Sequence, residues 1–362
     1  MAVKRPRHGG NLVWAAALAG CPPSELVDFS ASINPLGPPS SAIAAIQSSL
    51  GQIAAYPDPN YSELREALGA YHQMPSEWIL PGNGAAELLT WAAWDLATLP
   101  SVVLMTPAFG DYRRSLRAFN AHIVESCLWG QLPTQLGAEG IDTLSIPSPQ
   151  FPGSGLLVNN PHNPSGRLFS REMLLPYLDR FELVVVDEAF MDFLPPGEEQ
   201  SLVGEVEKFP NLVILRSLTK FYSLPGLRLG YAIAHPDRLR RWQQWRDPWP
   251  VNAFAAAVGV AVVQDTDFQE QTWSWLPPTR SQLFQGLMEL PGLVTHQSAA
   301  NFLLVETQQP SDQLQKALLQ QHKILIRDCL SFPELGDRYF RVAIRSSEEN
   351  QRLLQGLRNV LS

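Results

Sequence analysis

The sequence predicts an α/β protein with a mostly parallel sheet between helices, followed by a smaller C-terminal domain. Three observations support this prediction. Short apolar runs recur between residues 77 and 234, most of them are continuous rather than alternating in polarity, and helix-like or loop segments separate them. Continuous apolar runs are typical of strands that are buried on both faces. Intervening helices favour βαβ crossovers, which produce parallel sheets.

The predicted elements follow in chain order. A short Ala-rich helix within residues 12–20 ends at Gly20, before two prolines. A Pro-rich stretch leads into a helix near 40–53, and the helix over 62–73 has a cap at Ser62 and an acidic first turn. The strand candidates of the main sheet are EWIL (77–80), VVLM (102–105), GLLV (155–158), ELVVV (182–186), NLVIL (211–215) and LGYAIA (229–234).

A change of pattern marks the C-terminal part of the chain. The tract RWQQWRDPWP at 241–250 indicates a hinge, after which SAANFLLVE (298–306) and RYFRVAIR (338–345) are predicted strands of a smaller sheet. Helices are expected at 310–321 and 347–361. The predicted organisation is an N-terminal arm that contributes to the small domain (1–40), a large domain (41–245) and a C-terminal small domain (246–362). With 362 residues, 45% of them hydrophobic, the chain is large enough for two such domains.

Charge and composition exclude several classes of protein. The chain has 27 Lys and Arg against 35 Asp and Glu, a net charge of −8, which argues against a nucleic-acid-binding protein. No apolar run approaches the ~18 residues that span a bilayer. The three cysteines form no CxxC pair, so neither a disulfide framework nor a four-ligand zinc site is expected, and no metal site is predicted.

The first 21 residues allow two interpretations. A basic start, an apolar stretch and Cys21 imitate a lipoprotein signal peptide, but the apolar stretch is short and contains Trp14. The alternative is an HGGN arm followed by a short helix. We favour this second interpretation and expect a cytoplasmic protein.

Polar residues with chemical potential follow the strand candidates. In an open α/β sheet, ligands bind beyond the carboxyl ends of the strands. There the chain has the turn PGNGAAELL (81–89), an Asn-rich turn (159–166), Asp187, and a loop that contains Lys220 and Arg228. Each of these has an ordinary explanation as a turn or a solvated charge. Their joint order, however, is that of a pyridoxal phosphate site.

Three motifs carry a resemblance to a known family. HNPSG, VVDEAF and SLTKFYSLPGLRLGY resemble the fold-type I pyridoxal phosphate enzymes of class I/II, in the histidinol-phosphate aminotransferase branch. The resemblance extends over nearly the whole chain. It implies a large domain with a seven-stranded, mostly parallel sheet, a smaller α+β domain, pyridoxal 5'-phosphate as cofactor and a homodimer.

The resemblance also implies roles for individual residues. Lys220 would bond to the cofactor's aldehyde carbon, Asp187 would pair with the pyridine nitrogen, Asn163 would donate to the 3-oxygen and Phe109 would stack on the ring. The phosphate would be held by Ser217, Arg228, the Gly84–Ala86 backbone (Gly84, Ala85 and Ala86) and Tyr56 of the neighbouring subunit. Phe190 stands where the family often has Tyr, which removes one hydrogen bond from the 3-oxygen.

Arginines at the C-terminal end of the chain are candidates for substrate binding. In the predicted strand RYFRVAIR, side chains alternate between faces, so Arg341 and Arg345 share one face about 13 Å apart. Arg327 is a third candidate. Two such arginines could hold one small dianionic substrate, although a solvated strand face would look the same.

A narrower resemblance selects a substrate. HGGN (8–11), DFSASINPLGPP (28–39), DEAFMDF (187–193) and IRDCLSFPELGDRYFRVAIR (326–345) are similar to the L-threonine-O-3-phosphate decarboxylases of cobalamin biosynthesis, and Phe190 fits that subgroup. By this resemblance Arg341 would hold the substrate carboxylate. The substrate phosphate would be held by His8, Asn34, Arg327 and Arg345.

Two alternatives remain open at this stage. A histidinol-phosphate aminotransferase would share every cofactor contact, and a catalytically silent regulator would share the fold. The intact Lys220 and the lack of a basic DNA-binding domain argue against the regulator. No nucleic-acid or membrane partner is expected.

Overall fold

The computed structural model describes residues 5–128, 146–147 and 151–361 of the chain. The strands are β1 (Val27–Asp28), β2 (Ile79–Gly82), β3 (Val102–Thr106), β4 (Ile123–Cys127), β5 (Gly155–Asn159), β6 (Leu183–Asp187), β7 (Leu212–Ser217), β8 (Gly230–Ala234), β9 (Leu293–Thr295), β10 (Phe302–Thr307), β11 (Ile324–Leu325), β12 (Arg327–Asp328) and β13 (Tyr339–Ala343). The helices are α1 (Leu12–Ala19), α2 (Ser40–Ser48), α3 (Ser62–His72), α4 (Ala85–Ala97), α5 (Gly110–Ala118), α6 (Arg171–Leu178), α7 (Leu218–Phe221), α8 (Pro236–Trp245), α9 (Ala253–Val263), α10 (Thr266–Met288), α11 (Ser311–His322) and α12 (Ser347–Leu361).

Seven strands form the main sheet in the order β2-β8-β7-β6-β5-β3-β4. All neighbours are parallel except β8, which runs antiparallel to both β7 and β2. The central strand β6 shows why its sequence is a continuous apolar run. Val184 and Val186 belong to the core on one face of the sheet, and Leu183 and Val185 belong to the core on the other. The predicted α/β class with a mostly parallel sheet is therefore confirmed.

A smaller antiparallel sheet, in the order β12-β13-β10-β9, forms the second layered unit with α10, α11 and α12. The N-terminal residues join this part of the molecule, since β1 pairs with β11 and α1 packs against α11. Gly20 ends α1 in the left-handed conformation, as predicted. Helix α9 lies after the predicted boundary at 246, yet it packs against α2 and α3 beside the large sheet.

Two local predictions differ from the structure. Ser62 is the first residue of α3 rather than its cap, because the Asp58 carboxylate accepts the Ser62 and Asn60 N–H groups at 2.8 and 2.9 Å. The edge strand β4 was not predicted, since its sequence IVESC is half polar. An edge strand buries less of its surface than a central one, so it has a weaker apolar signal.

Within the described ranges, no helix combines the length and apolar character that a membrane span requires. Nor do those ranges contain a group of three or more His, Cys, Asp or Glu side chains arranged to hold a metal ion.

Candidate active site

A cavity of about 240 Å³ lies between the large sheet and the C-terminal part of the chain. Its walls come from the carboxyl ends of β5 and β6, the loop after β5, α7, the start of α5, the N-terminal arm and the β12–β13 region. This position agrees with the rule that ligands of open α/β sheets bind beyond the carboxyl ends of the strands. Seven of the residues that the sequence analysis singled out line this cavity: His8, Phe109, Asn163, Asp187, Lys220, Arg327 and Arg341.

Lys220 projects into the cavity from the short helix α7. The pKa of its ammonium is lowered from 10.5 to about 8, chiefly by burial and also by the positive charges of Arg341 and Arg228, while Asp28 and Asp187 act in the opposite direction. A lysine with such a pKa holds a useful fraction of free amine near neutral pH, which is the form that attacks carbonyl carbon.

Asp187 stands at the end of β6, where its carboxylate is 8% exposed. One oxygen accepts the Tyr112 hydroxyl at 2.7 Å and the other accepts the Ala189 N–H at 3.0 Å. Burial raises the pKa of the Asp187 carboxyl, although both hydrogen bonds and the charge of Lys220 lower it. A buried carboxylate of this kind is stabilised by a further cationic donor, such as a protonated ring nitrogen.

Backbone from the start of α4 (Gly84, Ala85 and Ala86) and the side chain of Arg228 form a cradle that does not line the cavity itself, although the charge of Arg228 acts on Lys220. Gly84 precedes α4 with φ +75°, and a Cβ on it would lie 2.5 Å from Arg228 Nη2. A Cβ on Gly230 would lie 2.5 Å from the Ala85 nitrogen, and Gly230 pairs in register with Ser217. The free N–H groups at the start of a helix, together with an arginine, are a site for a phosphate group.

Two asparagines fix the loop after β5. Asn159 donates to the Asp187 carbonyl at 2.7 Å, and its side-chain oxygen accepts the Asn163 N–H at 2.6 Å. The side-chain oxygen of Asn163 accepts from Arg341 Nη1 at 2.5 Å. Phe109 lies at the entrance of α5 and lines the cavity, with its ring 5.6 Å from that of Tyr112.

Arg327 and Arg341 face the same cavity from neighbouring strands. They stand directly opposite each other in the β12–β13 register, so two positive charges lie side by side. Arg327 donates to Ser331 Oγ at 2.8 Å and to the Arg7 carbonyl. Neither guanidinium forms an ion pair with a carboxylate of the described residues. The pKa of Arg341 is lowered to about 10, chiefly by burial and also by the positive charge of Arg327.

The N-terminal arm closes one side of the cavity. His8 lines it, with Nε2 3.7 Å from Asp111 Oδ1 and its ring 5.6 Å from that of Phe109. A Cβ on Gly9 would lie 2.2 Å from the Ser30 carbonyl oxygen, which explains why the arm carries glycine where it passes this backbone. His8 is therefore part of the cavity wall, and its role towards a substrate stays a prediction.

Two predicted substrate residues lie elsewhere, which corrects the sequence analysis. Asn34 does not line the cavity: its amide donates to the Phe221 carbonyl at 2.9 Å and to Thr272 Oγ1 at 2.8 Å, and its oxygen accepts the Leu36 N–H. It is a buried support for α7.

Arg345 follows the end of β13, so the strand alternation that would place it beside Arg341 does not extend to it. Its guanidinium donates to Glu349 at 2.8 Å and to the Asp28 carbonyl at 3.1 Å. Its charge is therefore already paired one helical turn away.

Tyr56 is separated from this cavity within the chain. It is 79% exposed and stacks on Trp249 with ring centroids 4.4 Å apart. The apolar side chains of Leu50 and Ile53 are also exposed, at 58% and 72%.

The sequence analysis missed two residues of the site. Tyr112 lies three residues after Phe109 on the first turn of α5, a helical spacing that places both side chains on one face. Ser32 lines the cavity from the DFSASINP segment, and its buried hydroxyl has no hydrogen-bond partner among the residues that the structure describes. Alternation along this extended segment would have placed Ser32 and Asn34 on one side, so only tertiary structure separates them.

Comparison with known proteins identifies one family and several relatives. Residues 24–357 match the model of the family described as aminotransferase class I and II. The chain is 40% identical over 370 residues to a threonine-phosphate decarboxylase of Salmonella typhimurium, covering 100% of this chain and 98% of that protein. It is 33% identical over 344 residues to a histidinol-phosphate aminotransferase of Symbiobacterium thermophilum, covering 93% and 91%.

Structural similarity extends over the whole chain. The histidinol-phosphate aminotransferase of Sinorhizobium meliloti, solved in complex with pyridoxal-5'-phosphate, superposes with a TM-score of 0.82 at 19% identity. The superposition covers 100% of this chain and 98% of that one. At this identity the comparison establishes a shared fold.

Proposed function

The chain belongs to the aminotransferase class I and II family, and we propose that it is a pyridoxal 5'-phosphate-dependent decarboxylase of L-threonine O-3-phosphate. The product would be (R)-1-amino-2-propanol O-2-phosphate, an intermediate of cobalamin biosynthesis. The observation that carries the proposal is the pair Arg327 and Arg341, opposed across two strands and free of carboxylate partners among the described residues. Two like charges placed side by side are destabilising unless an anion joins them.

The residues present fit pyridoxal 5'-phosphate. Lys220 offers the amine, Asp187 the buried carboxylate for a ring nitrogen, and the Gly84 backbone with Arg228 offers the phosphate cradle that a Cβ would fill. Ser217 would add a hydroxyl to that cradle. Phe109 would stack on the ring, and Asn163 would donate its amide to the 3-oxygen, because its side-chain oxygen already accepts from Arg341.

The proposed substrate carries two negatively charged groups that can pair with the two arginines of this pocket. L-Threonine O-3-phosphate carries a carboxylate and a phosphate dianion. We assign the carboxylate to Arg341, whose fork can bind it in a bidentate manner, and the phosphate to Arg327 with Ser331 and His8 around it. Ser32, with its unpartnered hydroxyl, is a further donor for the phosphate. L-Threonine lacks the second anion and should bind poorly.

The reaction requires that one bond at Cα breaks selectively. When bound, the cofactor supplies a conjugated electron sink, so the Cα bond held perpendicular to its plane breaks fastest. Arg341, by holding the carboxylate, would direct the Cα–carboxylate bond into that position. CO2 leaves, the electron pair stays with Cα, and the Lys220 ammonium is placed to return a proton there as general acid.

An aminotransferase acting on histidinol phosphate is the second candidate, favoured by the 33% identical relative. It would use the same cofactor residues, and Arg341 would hold the carboxylate of an amino-acid co-substrate instead. The 40% identity to the decarboxylase over the full length favours the first candidate.

Incubation of the pyridoxal phosphate-loaded protein with L-threonine O-3-phosphate tests the proposal through CO2 release. A parallel sample contains histidinol phosphate and 2-oxoglutarate and is analysed for glutamate. CO2 without glutamate supports the decarboxylase. Glutamate without CO2 overturns it in favour of the aminotransferase.

We further propose a homodimer in which Tyr56 reaches the cofactor phosphate of the neighbouring subunit. Its exposed position, together with the exposed apolar side chains of Leu50 and Ile53 a few residues earlier in the chain, supports this proposal. Tyr56→Phe should weaken cofactor binding without changing the substrate KM of the loaded enzyme. Sedimentation at micromolar concentration should give twice the mass of the 40.2 kDa chain.

A further inference from the structure

Phe302 lies against the guanidinium that we assign to the substrate carboxylate. Arg341 Cζ stands 4.5 Å from the centroid of the Phe302 ring, over its face. The β10–β13 register explains the contact: Arg341 is opposite Leu304, which makes Phe302 its diagonal neighbour on the same face of the sheet. Phe302 itself is 0% exposed. The buried ring therefore contacts one side of the guanidinium with its face and has little freedom to move.

A second aromatic side chain fixes the first. The Phe190 ring meets Phe302 edge-on, with centroids 5.1 Å apart and an interplanar angle of 76°. Phe190 follows β6 close to Asp187 and also lines the cavity. The pair thus connects the carboxylate that we assign to the ring nitrogen with the arginine that we assign to the substrate.

Arg341 has few other constraints on its plane. Its one hydrogen bond to a side chain of the described residues goes to Asn163 Oδ1. That bond fixes one corner of the guanidinium but leaves rotation about it. The Phe302 face removes that rotation, because a cation over an aromatic face loses favourable electrostatic energy when it tilts away.

We propose that Phe302, supported edge-on by Phe190, is a positioning residue that sets which bond at the substrate Cα breaks. This inference rests on the proposed function. Holding the guanidinium flat holds the carboxylate in its fork, and so keeps the Cα–carboxylate bond rather than the Cα–H bond in the reactive orientation. Without the Phe302 ring beneath the guanidinium, the bound carboxylate would move more freely, and the Cα–H bond would adopt the reactive orientation more often.

The test measures the two competing bond cleavages in one sample. The pyridoxal phosphate-loaded enzyme reacts with L-threonine O-3-phosphate in deuterated water. CO2 reports cleavage of the Cα–carboxylate bond. Deuterium in the recovered substrate reports cleavage of the Cα–H bond, since the proton leaves to solvent and a deuteron returns. Phe302→Leu should raise the ratio of exchange to CO2 about tenfold, which lies between the values of an exposed and a desolvated cation–π contact.

Matched variants distinguish a loss of positioning from a nonspecific loss of packing. Phe302→Tyr keeps the ring face and should keep the wild-type ratio. Phe340→Leu removes an equally buried ring from β13, next to Arg341 in sequence but on the other face of the sheet, and should leave the ratio unchanged. Phe190→Leu should raise the ratio in the same direction, and it serves as the test variant if Phe302→Leu does not fold.

A binding measurement completes the design. Calorimetric titration of L-threonine O-3-phosphate into the cofactor-loaded Lys220→Ala protein should show weaker binding for Phe302→Leu and no change for Phe340→Leu. If Phe302→Leu slows CO2 release and exchange equally, so that their ratio stays at the wild-type value, the positioning role is overturned and the proposed function is not. A wild-type enzyme that releases no CO2 would overturn the proposed function and, with it, this inference.

Discussion

Replacing Arg341 by methionine should raise the pKa of the Lys220 ammonium. That pKa is lowered from 10.5 to about 8, with burial as the largest cause, Arg341 as the next and Arg228 after it. Methionine retains most of the volume but removes the charge. Because Lys220 stays buried in the variant, we expect its pKa to rise only part of the way back to the ordinary value, to ~9.

The magnitude follows from the fraction of free amine. At pH 7.5 an amine of pKa ~8 is about one quarter deprotonated, whereas an ordinary lysine is about one part in a thousand. At a pKa of ~9 the free fraction falls to about 3%. The Arg341→Met protein should therefore present about eightfold less reactive Lys220 amine at this pH than the wild type does.

Competitive acetylation of the cofactor-free protein, followed by mass spectrometry across pH 6–11, measures this titration. The chain has only five lysines (Lys4, Lys208, Lys220, Lys316 and Lys323), so their peptides separate readily. Lys208, whose side chain is 67% exposed, supplies an internal reference. Arg345→Met is the matched control, because that arginine is paired with Glu349.

Two results would refute the reasoning. One is a wild-type Lys220 whose pKa equals the ordinary lysine value of 10.5, which would mean that the cavity does not perturb it. The other is an Arg345→Met protein whose Lys220 pKa rises as much as that of Arg341→Met. That outcome would place Arg345 at the site after all.

Three further predictions concern separate parts of the molecule. Gly84→Ala should weaken pyridoxal phosphate binding at least tenfold in a fluorescence titration, since the new Cβ would displace Arg228. The backbone at φ +75° and ψ 160° is also essentially limited to glycine and costs another residue about 1–3 kcal/mol. Unchanged affinity would rule out the cradle. Arg327→Met should raise the KM for L-threonine O-3-phosphate tenfold or more, whereas Arg345→Met should leave KM within about twofold; equal effects would contradict the assignment. Burial lowers the pKa of His162 to about 4, so the folded protein keeps this side chain neutral and its contribution to stability is complete above pH 6.5. As the pH falls from 6.5 towards 4, the free energy of unfolding should decrease by up to about 3 kcal/mol. His162→Gln should flatten this part of the pH dependence in urea unfolding, and an unchanged slope would assign it to other groups.

Much of the fold could be predicted because each signal is local. Strand β6 is buried on both faces, so its sequence is uniformly apolar, and Gly20 ends α1 through a backbone conformation that glycine adopts easily. The edge strand β4 escaped prediction because its burial is incomplete. The residues that we propose for the cofactor are predictable for the same reason, since Asp187 ends β6 and Lys220 lies shortly after β7, and these neighbouring parallel strands end at one edge of the sheet.

The sequence by itself determined the α/β class, the order of the main elements, and the motifs that place a lysine, a carboxylate and a glycine turn beyond one sheet edge. Only the tertiary structure decided the substrate side. Arg341 and Arg345 look equivalent along the chain, yet β13 ends at Ala343 and Glu349 pairs with Arg345, while the β12–β13 register brings Arg327 beside Arg341. The physical reason is that strand ends, pairing register and charge partners arise from contacts between residues far apart in sequence, which no local pattern encodes.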